Sequence, residues 1–461
     1  MDPLTPVVGE MHIGTARADD AATEFKVARF HFLPIMLGTF AAANCGLFLF
    51  FVDKTILHGP VMDAFDWIHA YGVRPPGCGF FCYLWQPHNE HRVVFSRALV
   101  ALDLRWFDRI GPSFIMFGLL LVFAMAAAIG REIMNSGLPH SWKYAAFAVA
   151  ILLLTPVNTV IMVSEPTSSP YLQTCAFALF SLVLLDGSDE QGRFSNYRRI
   201  AAILAACCTA FGTSAGLVIW PVLIWSAWRG RLRWPWIAGI GLAGVVFIGA
   251  YTWHLPGHAV QGVLTLPGVV ESFDYIIRFL GLPWGARLPL LLWPGRFIGF
   301  CMLCLGTIAL LRASFSGRPI TRLQRVGLGL ILFSLLIAAS APLARLNLNQ
   351  GVEVPIRYGM FVVPLHSGLL LWSLEYLYEY RRVVERIFTP WMIVAACAIW
   401  LTQQVAVGEY ATAAVNQYND AWSRFVAGEW TPDMQDHVYP LRDSAEAYLA
   451  YLRKINYHLV Y

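Results

Sequence analysis

The segment WQPHNEHRVVFSRALVALDLRW, at residues 85–106, concentrates polar chemistry in a chain that is otherwise strongly apolar. A carboxylate in such a setting can take a proton from a hydroxyl group as a general base. Guanidinium groups bind phosphate oxygens through paired hydrogen bonds. The segment therefore predicts a site that activates a hydroxyl beside a lipid phosphate. Its candidate side chains are His88, Glu90, His91, Arg92, Arg97 and Arg105.

Two other interpretations of this HNEHR motif remain open. His88 and His91 are spaced so that both imidazoles could hold one metal ion, with Glu90 as a third ligand. No fourth ligand is evident nearby in the sequence, so a metal is not favoured and no cofactor is expected. The charges could also simply solvate and anchor an interfacial loop. Clustered titratable groups favour the functional interpretation, because such clusters are common at functional sites.

The composition indicates the environment that must position these residues. Of the 461 residues, 57% are hydrophobic and 13% are charged, and the mean hydropathy is +0.55. A soluble chain carries about 25% charged residues. So much apolar surface cannot be buried in one core, and lipid must solvate part of it. The net charge of +4 comes from basic residues scattered between apolar runs, so nucleic acid is not an expected partner.

Apolar runs of spanning length predict an all-α polytopic membrane protein with about eleven transmembrane helices. Clusters of arginine and lysine alternate along the chain with loops that lack both, such as SEPTSSPY. Because basic residues concentrate in cytoplasmic loops, the N-terminus is predicted inside and the C-terminus outside. The predicted spans are 32–51, 113–130, 143–163, 170–186, 199–212, 215–228, 235–252, 295–311, 326–343, 357–375 and 389–407.

One pair of these spans is unusually short. Residues 198–233 carry basic side chains at both ends, so the chain must enter the membrane and turn back. Each arm has about fourteen residues and is about 21 Å long, against a hydrocarbon core of about 30 Å. The GTSAG turn at residues 212–216 therefore lies below the outer surface. Polar backbone at that depth requires a protein-lined or watery cavity, so we expect a cavity open to the extracytoplasmic side.

The segments outside the spans complete the predicted organisation. In the long first loop, apolar residues between Val93 and Leu104 recur at helical spacing, with Arg97 and Arg105 available for the polar side. This pattern predicts an amphipathic helix at the membrane interface. The predicted domains are a cytoplasmic segment at 1–31, a transmembrane domain at 32–407 that includes the extracytoplasmic loop at 52–112, and an extracytoplasmic helical tail at 408–461.

The CGFFC motif of the first loop holds the two cysteines that lie outside the apolar runs, Cys78 and Cys82. If the loop is extracytoplasmic, these two residues could close a small disulfide. A metal site is less favoured there because only two thiols are present.

Further charged or polar residues lie near predicted helix ends on the extracytoplasmic side. Each one alone is explained by snorkelling or by anchoring at the interface. Together they could converge on the predicted cavity. They are Asp53, Glu165, Arg296, Arg345 and the Arg357-Tyr358 pair of PIRYGMFVVP.

This arrangement resembles the polytopic GT-C glycosyltransferases, which use polyprenyl-phosphate-linked sugar donors. The resemblance rests on the number of spans, the long first loop, the hairpin AFGTSAGLVIWPVLI and the Arg-Tyr of PIRYGMFVVP. It implies that an acidic residue of the first loop is the general base, and Asp53 and Glu90 occupy matching positions. Asp53 follows the first span directly, but its DK dipeptide lacks the common acidic pair. HNEHR also resembles a motif of bacterial membrane proteins associated with cell-envelope glycan assembly.

The resemblance implies an inverting hexosyl- or pentosyltransferase in the bacterial inner membrane, active on the extracytoplasmic face. Glu90 or Asp53 would deprotonate a hydroxyl of a glycan or lipid acceptor. A flippase or transporter of lipid-linked glycan is the main alternative, and a glycan polymerase is the third. A transporter would carry charges inside its spans, whereas these spans are nearly charge-free. The implied donor-binding residues are His88, His91, Arg92, Arg97, Arg357 and Tyr358, with Glu165, Arg296 and Arg345 in support.

Overall fold

In a computed structural model of the chain, most of the described residues are helical. Apart from one isolated β-bridge between His88 and His91, the regular elements in these ranges are helices. The predicted all-α class is confirmed. The described residues are 16–74, 76–156, 158–186, 195–255, 266–285, 292–315, 319–345, 354–383, 389–431, 434, 438–439, 442–455 and 457.

The helices are numbered here in chain order. The first nine are α1 (Ala16–Lys54), α2 (Asp63–Gly72), α3 (Phe80–Trp85), α4 (Val94–Trp106), α5 (Pro112–Met134), α6 (His140–Leu154), α7 (Asn158–Ser164), α8 (Ser169–Asp186) and α9 (Ser195–Ala210). The others are α10 (Ile219–Arg229), α11 (Trp234–Thr252), α12 (Leu266–Gly285), α13 (Leu292–Phe315), α14 (Arg322–Arg345), α15 (Val363–Glu379), α16 (Pro390–Val426) and α17 (Arg442–Lys454). Two 3-10 helices, Ser214–Val218 and Ile356–Val362, precede α10 and α15.

Eight helical segments among the described residues are long and apolar enough to cross a membrane. The protein is therefore a multi-pass membrane protein. These eight segments coincide with eight of the eleven spans that we predicted. The other three predicted spans fall on α6 with α7, on α9 and on α10, which are shorter helices. The eight are Leu33–Lys54, Pro112–Met134, Ser169–Asp186, Trp234–Thr252, Trp293–Phe315, Arg322–Leu343, Ile356–Glu379 and Trp391–Val426.

The predicted span at 143–163 is interrupted between α6 and α7. Pro156 causes the break, because proline lacks a backbone N–H and disfavours helical geometry in the residue before it. The polar groups that the break exposes are bonded across the bundle. Asn44 Nδ2 donates to the Thr155 carbonyl at 2.8 Å and to Thr155 Oγ1 at 2.7 Å.

The short hairpin is present as α9, of 16 residues, and α10, of 11 residues, joined by the turn at 211–218. At about 1.5 Å per residue, these helices are about 24 Å and about 17 Å long. The turn packs too closely for side chains at two positions. A Cβ on Gly212 would lie 2.3 Å from the Pro170 carbonyl oxygen, and one on Gly216 would lie 2.3 Å from the Thr209 carbonyl oxygen.

Two ion pairs join α14 to the far ends of α5 and α8. Arg322 Nη2 lies 2.8 Å from Glu132 Oε1, and Arg325 Nε lies 2.7 Å from Asp186 Oδ1. Both carboxylates are buried. They close the end of the bundle that is opposite the first loop, because α8 runs about 27 Å from its start beside that loop to Asp186.

The first loop and the C-terminal region share a second apolar core, separate from the core of the bundle. It includes Phe65 and Trp67 of α2, Trp422 of α16 and Leu449 of α17. The tail is helical, as we predicted, but the expected boundary at 408 lies inside one continuous helix of 37 residues that ends at Val426. The last part of that helix packs on the first loop, and this packing explains why it continues beyond the predicted span.

Candidate functional site

The HNEHR motif forms a tight turn between α3 and α4. His88 and His91 exchange two backbone hydrogen bonds, of 2.8 Å and 2.9 Å. Asn89 at its tip has a φ of 49°, in the left-handed region that asparagine tolerates better than most residues. The turn presents the two imidazole rings to different partners.

His88 contacts a carboxylate at the start of α2. Its Nε2 lies 3.4 Å from Asp63 Oδ1, and the Asp63 side chain is 46% exposed, so a reactant can reach it. Burial raises the pKa of Asp63, but the close contact and charge of His88, together with the charge of Arg357, outweigh burial and lower this pKa below its usual value. Asp63 is therefore an ionised, accessible proton acceptor at neutral pH.

Asp66 lies three residues further on, on the same face of α2. Its Oδ1 accepts hydrogen bonds from the hydroxyls of Tyr439, at 3.1 Å, and Tyr448, at 2.5 Å. Asp63, Asp66 and His88 each offer a ligand atom within 4.8 Å of the others, a separation that a single cation could bridge. The C-terminal region thus helps to position the acidic face of the first loop.

His91 joins the HNEHR turn to the short hairpin. Its Nδ1 lies 3.1 Å from the Ser214 backbone nitrogen and 2.9 Å from Ser214 Oγ. Because a backbone N–H can only donate, Nδ1 is an acceptor, and the proton of the neutral ring is on Nε2. That Nε2 is 3.5 Å from Glu90 Oε1, and the Glu90 side chain is 31% exposed. The hairpin therefore orients His91 as a donor toward Glu90.

Arg92 is buried and anchors the turn to the end of α11. Its Nε donates to the Tyr251 carbonyl at 2.7 Å, and its terminal nitrogens donate to the carbonyls of Trp85 and Trp253. Burial lowers the pKa of this guanidinium. These contacts give Arg92 a structural role in holding the loop, in addition to its positive charge.

The expectation that Arg97 lies on the polar side of an interfacial helix is wrong. Arg97 is only 3% exposed, and its Nη1 donates to the carbonyls of Tyr83, at 2.7 Å, and Gln86. Its Nη2 donates to the Pro87 carbonyl at 3.2 Å. Helical spacing alone could not distinguish a solvated arginine from one that is buried against backbone carbonyls.

Arg357 approaches the same region from the 3-10 helix Ile356–Val362. Its Cζ lies 5.9 Å from the centre of the Tyr171 ring. Its charge interacts with the charges of Asp63 and Glu165. Its buried Nε has no hydrogen-bond partner among the described residues. Since buried donors are normally paired, this N–H is available to an oxygen of a ligand.

Glu165 lies in the turn between α7 and α8. Its carboxylate accepts hydrogen bonds from the Thr167 hydroxyl and from Ser168 Oγ, the latter at 2.7 Å. The backbone N–H groups of Ser168 and Ser169 donate to the Glu165 carbonyl at 3.1 Å. This local network fixes a negative charge near Arg357.

The remaining predicted residues have different surroundings. Asp53 is exposed near the end of α1. Arg296 is engaged with Asp274, with Nε 3.2 Å from Oδ1. Tyr358 is 8% exposed and its ring centre lies 5.5 Å from that of Tyr171. The side chain of Arg345 lies outside the described residues.

The sequence motifs described above do not include Asp63 and Asp66. Both belong to the amphipathic stretch VMDAFDWIHAYG, where their spacing puts two carboxylates on one helical face. That spacing is a signal that could have identified them. The partners of Asp66, Tyr439 and Tyr448, are more than 370 residues away in the chain, so no local pattern could have connected them.

Comparison with known proteins adds no assignment. No family model matches the chain, and neither a curated protein nor a solved structure matches it. Any function of this chain must therefore be inferred from the residues that meet at this site: Asp63, His88, Glu90, His91, Glu165 and Arg357.

Proposed function

We propose that this protein is an inverting membrane glycosyltransferase of the GT-C type. It would move a sugar from a polyprenyl-phosphate-linked donor to a hydroxyl of a glycan or lipid acceptor. One observation carries the proposal: two accessible carboxylates, Asp63 and Glu90, each lie beside an imidazole, and the charge of Asp63 interacts with that of Arg357. A base for a hydroxyl and a cation for a phosphate are the two groups that this reaction needs.

In this mechanism, a carboxylate takes the proton of the acceptor hydroxyl as its oxygen attacks the anomeric carbon. The bond between that carbon and the phosphate oxygen breaks, and the lipid phosphate leaves with the electron pair. Asp63 is our first candidate for the base, because its side chain is accessible, lies beside His88 and interacts with the charge of Arg357. Glu90 is the second candidate, held beside the Nε2 donor of His91.

Arg357 is the candidate for the group that stabilises the departing phosphate. Its buried Nε is a free donor among the described residues, and a guanidinium placed where negative charge develops lowers the barrier. All three guanidinium nitrogens of Arg92, and the two terminal nitrogens of Arg97, donate to backbone carbonyls. We therefore assign them to positioning the HNEHR turn rather than to direct contact with the donor.

The proposal includes the topology. α6 with α7, α9 and α10 would complete eleven passes or part-passes through a bacterial inner membrane, and the site would lie on the extracytoplasmic face. A multi-pass protein with a short hairpin below its site supports this arrangement.

The test of this function begins with the cell-envelope glycans. Mass spectrometry with and without the gene identifies the sugar that the protein adds, and the purified protein is then given that sugar on a polyprenyl phosphate. We expect a glycosylated acceptor and free polyprenyl phosphate in equal amounts. Movement of the intact lipid-linked glycan across vesicles, without a new glycosidic bond, would instead identify a flippase.

We predict that the N-terminus is cytoplasmic and that the first loop is outside. A reporter that folds only outside the cytoplasm should give signal when it is fused after Val407, and none when it is fused after Arg386, because basic clusters mark the inner loops. The reverse pattern would place the HNEHR turn in the cytoplasm and contradict the proposed donor chemistry.

We also predict that the disulfide between Cys78 and Cys82 is not needed for the reaction. Replacing both residues with serine should lower the thermal midpoint of the protein slightly and leave the transfer rate near normal, since neither residue contacts the Asp63 or Glu90 carboxylate in the described structure. A well-folded double variant with no transfer would show that this loop has a chemical role.

A further inference from the structure

The short helix α3 has one buried face and one exposed aromatic face. Tyr83 is fully buried, and its hydroxyl donates to the carbonyls of Trp67 at 3.2 Å and Arg97 at 3.3 Å. On the other side, Phe81 is 84% exposed and Phe80 is 42% exposed. Large aromatic residues exposed together on an otherwise anchored helix are consistent with contact to an apolar partner.

Helix lengths place α3 at membrane depth. The ring of Trp85, the last residue of α3, lies 5.8 Å from the ring of Phe211 at the tip of the hairpin. The Phe211 ring in turn lies 5.8 Å from that of Phe247 in α11. Phe247 comes five residues before the end of α11 at Thr252, and these residues span about 7.5 Å. Trp85 therefore lies near the depth of Phe247, which is inside the α11 span.

The starts of α9 and α11 also lie at one level of the bundle. Arg199 Cζ, near the start of α9, lies 4.9 Å from the ring centre of Trp236, near the start of α11. From that shared level, Phe211 is twelve residues along the chain and Phe247 is eleven residues along, so both lie about 17 Å up the bundle. The hairpin tip therefore stops short of the end of α11, which leaves a volume above the tip at a depth still inside the α11 span.

α3 occupies that volume with a suitable surface. Phe81 and Trp85 are four residues apart and so lie on the same face of α3. The α11 surface nearby is also apolar and exposed, with Val245 at 70% and Val246 at 63%. The segment from 73 to 86, VRPPGCGFFCYLWQ, contains no acidic residue, and its one charged residue, Arg74, is exposed. Aromatic residues with a cation at the edge are typical of elements that lie in a membrane interface.

We propose that α3 and the disulfide loop before it are immersed in the lipid leaflet on the side of the first loop. Phe80 and Phe81 contact acyl chains, and Arg74 reaches the phosphate level along its own aliphatic stem. The Cys78–Cys82 bond keeps this element compact at the interface. The inference is independent of the proposed reaction, because it rests on helix depth and on exposed apolar surface.

A spin label at position 81 tests this location. Phe81→Cys is made in a chain whose seven free cysteines are replaced by alanine, with the Cys78–Cys82 disulfide retained, and the labelled protein is placed in phosphatidylcholine–phosphatidylglycerol vesicles. Collisions of the label with oxygen, which concentrates in lipid, are compared with collisions with a water-soluble nickel chelate. Val246→Cys on α11 is the matched control for lipid, and Glu446→Cys on α17, whose side chain is 52% exposed, is the control for water.

We expect the oxygen-to-nickel ratio at position 81 to match that at position 246, and to exceed the ratio at 446 several-fold. A ratio equal to that at 446 would put α3 in water and overturn the proposal. Low collision rates with both reagents would show that another protein surface covers Phe81, which also overturns it. A photoreactive benzoylphenylalanine at position 81 of the otherwise unaltered chain repeats the test without cysteine replacement: lipid adducts support immersion, and protein adducts or none contradict it.

Discussion

Replacement of Asp63 with asparagine is expected to slow sugar transfer about a hundredfold to ten-thousandfold, which is the usual contribution of a general base. The amide keeps the size of the side chain but cannot accept the proton of the acceptor hydroxyl. Donor affinity should change little, because the phosphate contact is assigned in this proposal to Arg357. The measurement is the transfer rate together with lipid-donor affinity in purified protein. In the wild type, the rate should decline on acidification only below the ordinary carboxyl pKa of about 3.9, since the pKa of Asp63 is lowered.

Glu90→Gln and Asp53→Asn belong in the same experiment. Asp53 is the other acid that the resemblance implies as a base, and because it is exposed near the end of α1 we expect its variant to transfer sugar at a near-normal rate. A large loss in Glu90→Gln with a normal Asp63→Asn would make Glu90 the base. Near-normal transfer in both the Asp63 and the Glu90 variants would rule out this mechanism and leave the HNEHR turn as a charged interfacial anchor.

The second large effect is expected from replacing Arg357 or Arg92 with alanine. The sequence suggested the same donor-binding role for both arginines, but their contacts differ. Arg357→Ala should weaken donor binding about tenfold to a hundredfold, the equivalent of one or two charge-assisted hydrogen bonds, and leave the fold intact. Arg92→Ala should instead destabilise the protein, because the carbonyls of Trp85, Tyr251 and Trp253 lose their donor. Each unpaired carbonyl costs about 1–3 kcal/mol.

Donor affinity and the thermal midpoint of unfolding, measured on the same preparations, distinguish the two arginines. Arg105→Ala is the control, because Arg105 is an exposed arginine of the same loop, and it should leave both quantities unchanged. If Arg92→Ala unfolds at the wild-type temperature but binds donor weakly, then Arg92 contacts the phosphate, as the sequence alone had suggested. A normal donor affinity in Arg357→Ala would remove Arg357 from the mechanism.

The membrane architecture was largely predictable, because a long run of apolar residues has few uses other than crossing a bilayer. The failures have local causes. Pro156 divides one predicted span into α6 and α7, and the end of the last predicted span at Val407 was read from hydropathy alone. Beyond Val407, α16 remains helical because residues such as Trp422 pack on the first loop, and hydropathy does not register that packing.

The site was predictable only in part. The HNEHR motif was identifiable from the types and density of its residues, and its contact with the hairpin at Ser214 joins two features that the sequence had presented separately. The roles of Asp63 and Arg97 were not predictable, because each depends on a tertiary contact. Asp63 becomes a candidate base through His88 and Arg357, and Arg97 is buried through bonds to backbone carbonyls.

The two ion pairs of α14 have a consequence for how molecules can reach the site. The carboxylates of Glu132 and Asp186 are buried, whereas their arginine partners are partly exposed, and removing one partner of a buried pair costs about 3–5 kcal/mol. A transporter must open each end of its helix bundle in turn, and in this protein two ion pairs hold one end closed. Reactants and products of the proposed reaction are therefore expected to enter and leave on one side of the membrane, beside the HNEHR turn.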